Sequence, residues 1–112
     1  MNIQKSPEGE VMILNLSGKI MGGPDYEKFH AEIKTLIKEG YVDILLNMSK
    51  VTWINSTGLG ILISGYHSIR AAEGSMKVCS VKERVLSIFY ISQLEKIFNV
   101  YPNREEALAS FE

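Results

Sequence analysis

The stretch Val51-Thr52-Trp53-Ile54-Asn55-Ser56-Thr57-Gly58-Leu59-Gly60-Ile61-Leu62 decides how this chain is read. It joins an apolar run, Asp43-Ile44-Leu45-Leu46-Asn47, to a long amphipathic segment that ends near Gly74. Asn55, Ser56, Thr57 and Gly58 are all residues that favour a helix start. The spacing predicts a helix from Ser56 to about Glu73, with Leu59, Leu62, Ile63, Tyr66 and Ile69 on its buried face. A second stripe holds Gly58, Ile61, Gly65 and Ser68, small apart from Ile61. Glycine in a helix interior costs roughly 1 kcal/mol relative to alanine. Gly60 and Gly65 therefore predict that another backbone comes close to this helix. Ser56 falls among the unpaired N–H groups of the helix start, where the dipole favours negative charge. The simplest role for such a serine is a cap; it is also a place where a phosphoryl group can sit without disturbing the fold beneath.

Outward from this segment the chain alternates strands and helices. A strand near Asn2–Lys5, a tight turn at Ser6-Pro7-Glu8-Gly9 and a second strand Val11–Leu16 are expected first. Gly18, Gly22, Gly23 and Pro24 mark a loop, with Pro24 suited to a first helical turn. From Asp25 to Glu39 the apolar Phe29, Ile33, Leu36 and Ile37 recur at helical spacing, and Gly40 is placed to end the helix. After the long helix, Met76–Cys79 reads as a strand. Ser80 and Glu83 are spaced as a capping box before a helix that buries Val85, Ile88 and Phe89. Ile97–Tyr101 reads as the last strand, and Asn103 with Glu106 opens a helix burying Ala107, Leu108 and Phe111. The order ββαβαβαβα implies one α/β domain over residues 1–112, a mixed sheet of four to five strands packed against about four helices.

Composition limits the function. At 112 residues the chain suits one domain. With 46% hydrophobic and 22% charged residues it can build a core. Twelve Lys and Arg against thirteen Asp and Glu give a net charge of -1, which offers no grip on nucleic acid or anionic membrane. Cys79 is alone, so no intramolecular disulfide or paired-thiol metal site is available. No apolar run approaches the ~20 residues of a membrane span, and Met1-Asn2-Ile3-Gln4-Lys5 does not open a secretory signal. A cytoplasmic protein without cofactor or metal is expected.

Val51–Leu62 resembles the signature of the STAS domain of anti-sigma factor antagonists, Asp-Ser-(Ser/Thr)-Gly-Leu-Gly. The resemblance extends to the leading hairpin, to Leu16-Ser17-Gly18, to Leu46-Asn47 and to Met76-Lys77-Val78. It implies a protein that binds an anti-sigma factor that is also a serine kinase, is phosphorylated on the residue matching Ser56, and is restored by a serine phosphatase. By the same resemblance Met21, Gly22, Asn55, Ser56, Thr57, Gly58 and Ile61 are expected to meet the partner, the chain itself being a monomer or weak dimer. Two positions depart from the family pattern. Asn55 stands where Asp is usual before the serine, and Gly18-Lys19-Ile20-Met21 stands where Gly-x-(Leu/Ile)-Asp is frequent. Both remove negative charge beside Ser56 and bear on recognition by the kinase. A STAS scaffold or ligand sensor without a phosphorylation switch is the second reading.

An enzyme is disfavoured by the residues themselves. Gly-x-Ser-x-Gly is absent, since Ile54 and Gly58 flank Ser56 at two residues. His67 lies about three turns, ~16 Å, beyond Ser56 on the same helix, and His30 belongs to another helix. Gly58-Leu59-Gly60 lacks the third glycine of a dinucleotide fingerprint, and Tyr66-His67 replaces the Lys-Ser/Thr of a phosphate loop. Trp53 is expected to anchor the core. Cys79 is expected to be a small buried hydrophobe, and the apolar stretch Val85–Ile91 is broader than one helix face requires.

Overall fold

The computed structural model describes residues 1–93 and 96–112. In chain order the elements are β1 (Asn2–Glu8), β2 (Val11–Ile20), α1 (Pro24–Lys38), β3 (Asp43–Ile54), α2 (Ser56–Ala71), β4 (Ser75–Cys79), α3 (Glu83–Ile91), β5 (Val100–Tyr101) and α4 (Arg104–Ala109). The strands form one sheet in the order β1-β2-β3-β4-β5. Only β1 runs antiparallel to its neighbour; β2 through β5 are parallel. The predicted order and the mixed sheet are both present.

Alternation along the strands divides the sheet into two faces. Met12, Leu14 and Leu16 of β2, with Ile44, Leu46 and Met48 of β3, point into the main core beneath α1, α2 and α3. Val11, Ile13, Leu45 and Cys79 point the other way, under Ala107 of α4. The second face is bare beyond α4, and its residues turn polar accordingly. There Asn47 Nδ2 donates to Asn15 Oδ1 at 2.8 Å, and Asn15 Nδ2 reaches the Gln4 carbonyl at 3.3 Å. The Ser49 N–H donates to Asn47 Oδ1 at 3.1 Å, so these amides are satisfied without a covering helix.

Several boundaries differ from the sequence reading. β1 runs through Ser6, Pro7 and Glu8, and the turn is the two-residue loop Gly9-Glu10, with Glu8 opposite Val11. Gly9 at φ 61 supplies the positive angle that a two-residue hairpin needs. Pro7 is tolerated because β1 is an edge strand, where a missing N–H on the open side costs no ladder bond. Gly18 lies inside β2, at φ 84, where the β2–β3 register shifts. The extra residue at this bulge is Thr52 of β3, unpaired between Val51 and Trp53, and β2 carries on to Ile20. β3 likewise continues to Ile54, so half of the deciding segment is strand. The expected Ser80–Glu83 capping box does not form. Ser80 sits at φ 59, Lys82 is the N-cap, and no side chain closes that end. β5 is two residues long; Phe98 before it is buried, while Ile97 is 37% exposed. The Asn103 cap does form, with Oδ1 accepting the Glu106 N–H at 2.8 Å.

α1 and α2 lie side by side on the main core. Gly65 of α2 admits the ring of Phe29, which a Cβ there would overlap. Leu59, Leu62 and Ile69 are buried as expected, and Ile63 and Tyr66 pack half-buried against the same core. α2 ends at Ala71 with Glu73, at φ 66, taking the left-handed position. Gly74 is needed for a different reason, because a Cβ there would meet the Val42 carbonyl oxygen. The ammonium group of Lys77 holds α4 down: it donates to Ser110 O and Oγ, each at 2.9 Å, and lies 4.5 Å from the centre of the Phe111 ring.

Candidate functional site

The C-terminal ends of β2 and β3 lie together, Ile20 in register with Ile54, and the chain leaves both at the N-terminus of α2. Asn55 is the whole connection between β3 and α2 and ties three segments. Its Oδ1 accepts the Gly58 N–H at 2.8 Å as an N-cap, and its carbonyl accepts the Leu59 N–H at 2.9 Å. Its own N–H donates to the Ile20 carbonyl at 3.3 Å, and Nδ2 donates to the Met21 carbonyl at 3.1 Å. The last bond needs the amide; a carboxylate has no proton to give.

The loop Met21–Gly23 is fixed from the other side by Asp25. Asp25 Oδ2 accepts the Met21 N–H at 3.3 Å, Oδ1 accepts from the Met1 amine at 3.3 Å, and the Asp25 N–H donates to the Gly22 carbonyl at 3.2 Å. Gly22 has φ 113, and a Cβ on it would come within 2.8 Å of Thr57 Cγ2. The loop thus packs directly on the first turn of α2, and glycine is required twice over at that contact.

Ser56 is the first residue of α2 and is exposed. Its hydroxyl makes no hydrogen bond among the described residues, and no acidic residue occupies the first turn of α2. The N–H groups of a helix's first turn have no intrahelical partners, and the Asn55 side chain caps only that of Gly58. Ser56 therefore combines an accessible oxygen, free backbone donors and the positive end of a sixteen-residue helix.

Of the residues expected to meet a partner, Met21, Ser56 and Thr57 are exposed, Gly22 and Asn55 half-buried. Gly58 and Ile61 are buried, and their contacts lie within the fold. Ile61 is 3% exposed and packs in the core, and a Cβ at Gly58 would overlap the Ile20 carbonyl. The backbone predicted to approach α2 is thus Ile20, and it does so at Gly58. At Gly60 nothing lies within 4 Å of a Cβ, and at Gly65 the neighbour is a ring. Trp53, expected in the core, is 40% exposed, and Met21 is 44% exposed. Trp53 is the residue beside Ser56 whose exposure the sequence reading missed. Its position next to buried Ile54 in a strand is the signal that could have found it, because alternation turns neighbours to opposite faces.

Among the described residues no hydrogen bond joins Ser56 Oγ to a histidine or a carboxylate. His30 stacks on Tyr26 with ring centres 5.6 Å apart, and exposed His67 lies edge-on to Tyr66. Among the described residues no group of three or more His, Cys, Asp or Glu could hold a metal ion. Nor is any helix among them long and apolar enough to cross a membrane. A concavity of about 570 Å³ opens on the polar sheet face at Gln4, Asn15, Ser17, Asn47 and Lys50, and none of residues 51–62 lines it. Cys79 is buried under α4, and burial pushes its thiol pKa up.

The chain belongs to the STAS domain family, whose profile matches residues 2–107. BtrV of Bordetella bronchiseptica, whose name ranks it among anti-sigma factor antagonists, is 28% identical over 101 residues, 90% of this chain and 86% of that one. The anti-sigma-B factor antagonist of Bacillus subtilis is 26% identical over 69 residues, 62% of this chain and 63% of that protein. The fold is shared with Bacillus SpoIIAA solved in its phosphorylated form, at a TM-score of 0.75, 20% identity and coverage of 99% and 100% of the two chains. It is shared as well with an anti-sigma factor antagonist from Mycobacterium paratuberculosis, at a TM-score of 0.84, 21% identity and coverage of 97% and 92%.

Proposed function

We propose that this chain is an anti-sigma factor antagonist: a binding module, not an enzyme, that docks on an anti-sigma factor serine kinase and is released when Ser56 is phosphorylated. A serine phosphatase returns it to the binding form. Relatives named for this role support the reading, as does a fold shared with a protein solved in a phosphorylated form. The observation that carries it is Ser56 itself, exposed and unbonded on the first turn of α2 beside a loop locked to that turn.

The energetics agree. The kinase transfers the γ-phosphoryl of ATP to Ser56 Oγ, the oxygen losing its proton and ADP leaving. The product carries about -1.5 to -2 charges. At the helix N-terminus the dipole favours that charge by roughly 0.3–1 kcal/mol, so the monomer tolerates it. Inside a docked interface the same dianion is desolvated and meets groups fitted to a neutral serine. A loss of about 2.7 kcal/mol weakens binding roughly a hundredfold.

The test uses the purified chain, labelled ATP and fractionated extract of the source cells. The labelling fraction yields the kinase, and Ser56→Ala should bind that kinase while staying unlabelled. Ser56→Asp should keep its melting temperature within a few degrees and lose the kinase. Label persisting on Ser56→Ala, or Ser56→Asp binding at parental affinity, contradicts the proposal. The neutral Asn55 and Met21 favour a second reading, a STAS scaffold or ligand sensor without the switch; an extract that never labels the chain would support it.

A further inference from the structure

Resting on the reading above, we infer that the docking surface around Ser56 is an apolar knob with a cationic edge, built from Trp53, Met21 and Lys19, and that its partner presents an apolar pocket with an acidic rim. Three independent features of the surface lead there.

The first is apolar exposure where the fold does not require it. Trp53 is 40% exposed and Met21 is 44% exposed, at the ends of adjacent strands that otherwise send Ile20 and Ile54 fully into the core. An indole held on a central strand loses little conformational entropy on docking, and aromatic side chains of this kind dominate binding energy in protein interfaces.

The second is rigidity. The Met21 carbonyl is held by Asn55 Nδ2 at 3.1 Å and the Met21 N–H by Asp25 Oδ2 at 3.3 Å. Both sides of the Met21 backbone are thus pinned next to the α2 N-terminus, so the knob is formed before the partner arrives and little ordering cost remains to be met on binding.

The third is charge. Lys19 is the register partner of Trp53 and is exposed, and partners on adjacent strands project from the same face of the sheet, so the rim carries a lysine on the same face as the indole. The first turn of α2 has no acid, and its dipole adds positive potential at Ser56. Of the two carboxylates in the first turn of α1, Asp25 is already engaged by the Met1 amine and the Met21 N–H, and exposed Glu27 is followed by exposed Lys28. The surface is neutral to positive, and complementarity requires the opposite sign on the partner. Phosphorylation then places a dianion against that acidic rim, and like-charge repulsion adds to desolvation in ending the complex.

The probe is the serine kinase purified by its ability to label Ser56; its affinity for the full chain and for each variant is measured by calorimetry, and in the parent Trp53, the sole tryptophan, also reports on docking. Trp53 emission should shift to the blue on binding. Trp53→Ala and Met21→Asp should each weaken binding at least tenfold, and Trp53→Phe should retain part of it. Lys19→Glu should weaken binding severalfold at low salt, with the difference shrinking as salt is raised. Melting curves of all four variants should stay near the parent, since these side chains are exposed. Trp53→Ala and Met21→Asp both binding within twofold of the parent would overturn the inference and leave the proposed function standing. Lys19→Glu binding as well as or better than the parent would overturn the acidic rim. An extract from which no kinase that labels the parent chain can be purified would remove the proposed function, and this inference with it.

Discussion

At the scale of the residue, the glycines of α2 separate packing from function. Gly58 accommodates the Ile20 carbonyl and Gly65 accommodates the Phe29 ring, while Gly60 faces open space. Gly58→Ala must push the β2 end away from α2 and should cost about 1–3 kcal/mol in urea unfolding. Gly60→Ala keeps all contacts and should stabilise the chain by up to about 1 kcal/mol. Equal effects of the two substitutions would contradict this account of the helix. The sequence announced that small residues mattered here, but not which glycine met which neighbour, because that depends on where β2 ends. The same dependence hid the exposure of Trp53. A lone tryptophan in an apolar run looks like core until the register of β3 is known, and that register shifts just before it, where Thr52 is left without a partner between Val51 and Trp53.

At the scale of the element, long and strongly patterned segments were legible and short ones were not. α1, α2 and the apolar centre of β3 follow from periodicity, and the Asn103 cap follows from one side chain reaching the Glu106 N–H. Pro7 was misleading because an edge position excuses a proline that a central strand would reject. The Ser80–Glu83 pair was misleading because Ser80 is taken into the left-handed region at the end of β4 and is lost to the helix. α4 is only six residues long, and its hold on the sheet comes from Lys77 and a small second core. Cys79 reports on that core. Burial raises its thiol pKa from the ordinary 9.0, so the folded state binds the proton more tightly than the unfolded chain. Stability attributable to this group is complete below pH 9 and declines as pH rises through the folded value. Denaturant midpoints of the parent should therefore fall more between neutral and strongly alkaline pH than those of Cys79→Ala. Parallel pH profiles would contradict the burial argument. Lys77→Ala should also speed modification of the Cys79 thiol, by loosening α4.

At the scale of the whole molecule, the sheet sets the division of labour. Its main face and α1, α2 and α3 make the stable body, while the C-terminal ends of β2 and β3 deliver Met21, Trp53 and Ser56 to one rim. On the proposed reading stability and recognition reside in different residues, so that a phosphoryl group on Ser56 would act on the complex while sparing the monomer. The central claim is that Ser56 is the residue modified. It is tested most directly by recovering the endogenous protein from resting and stressed cells, measuring intact mass and mapping any added phosphoryl group. The account predicts one phosphoryl group, on Ser56 and not on Thr57, with occupancy that changes between the two conditions. Phosphate on a different residue, or an unmodified chain in every condition, would contradict it.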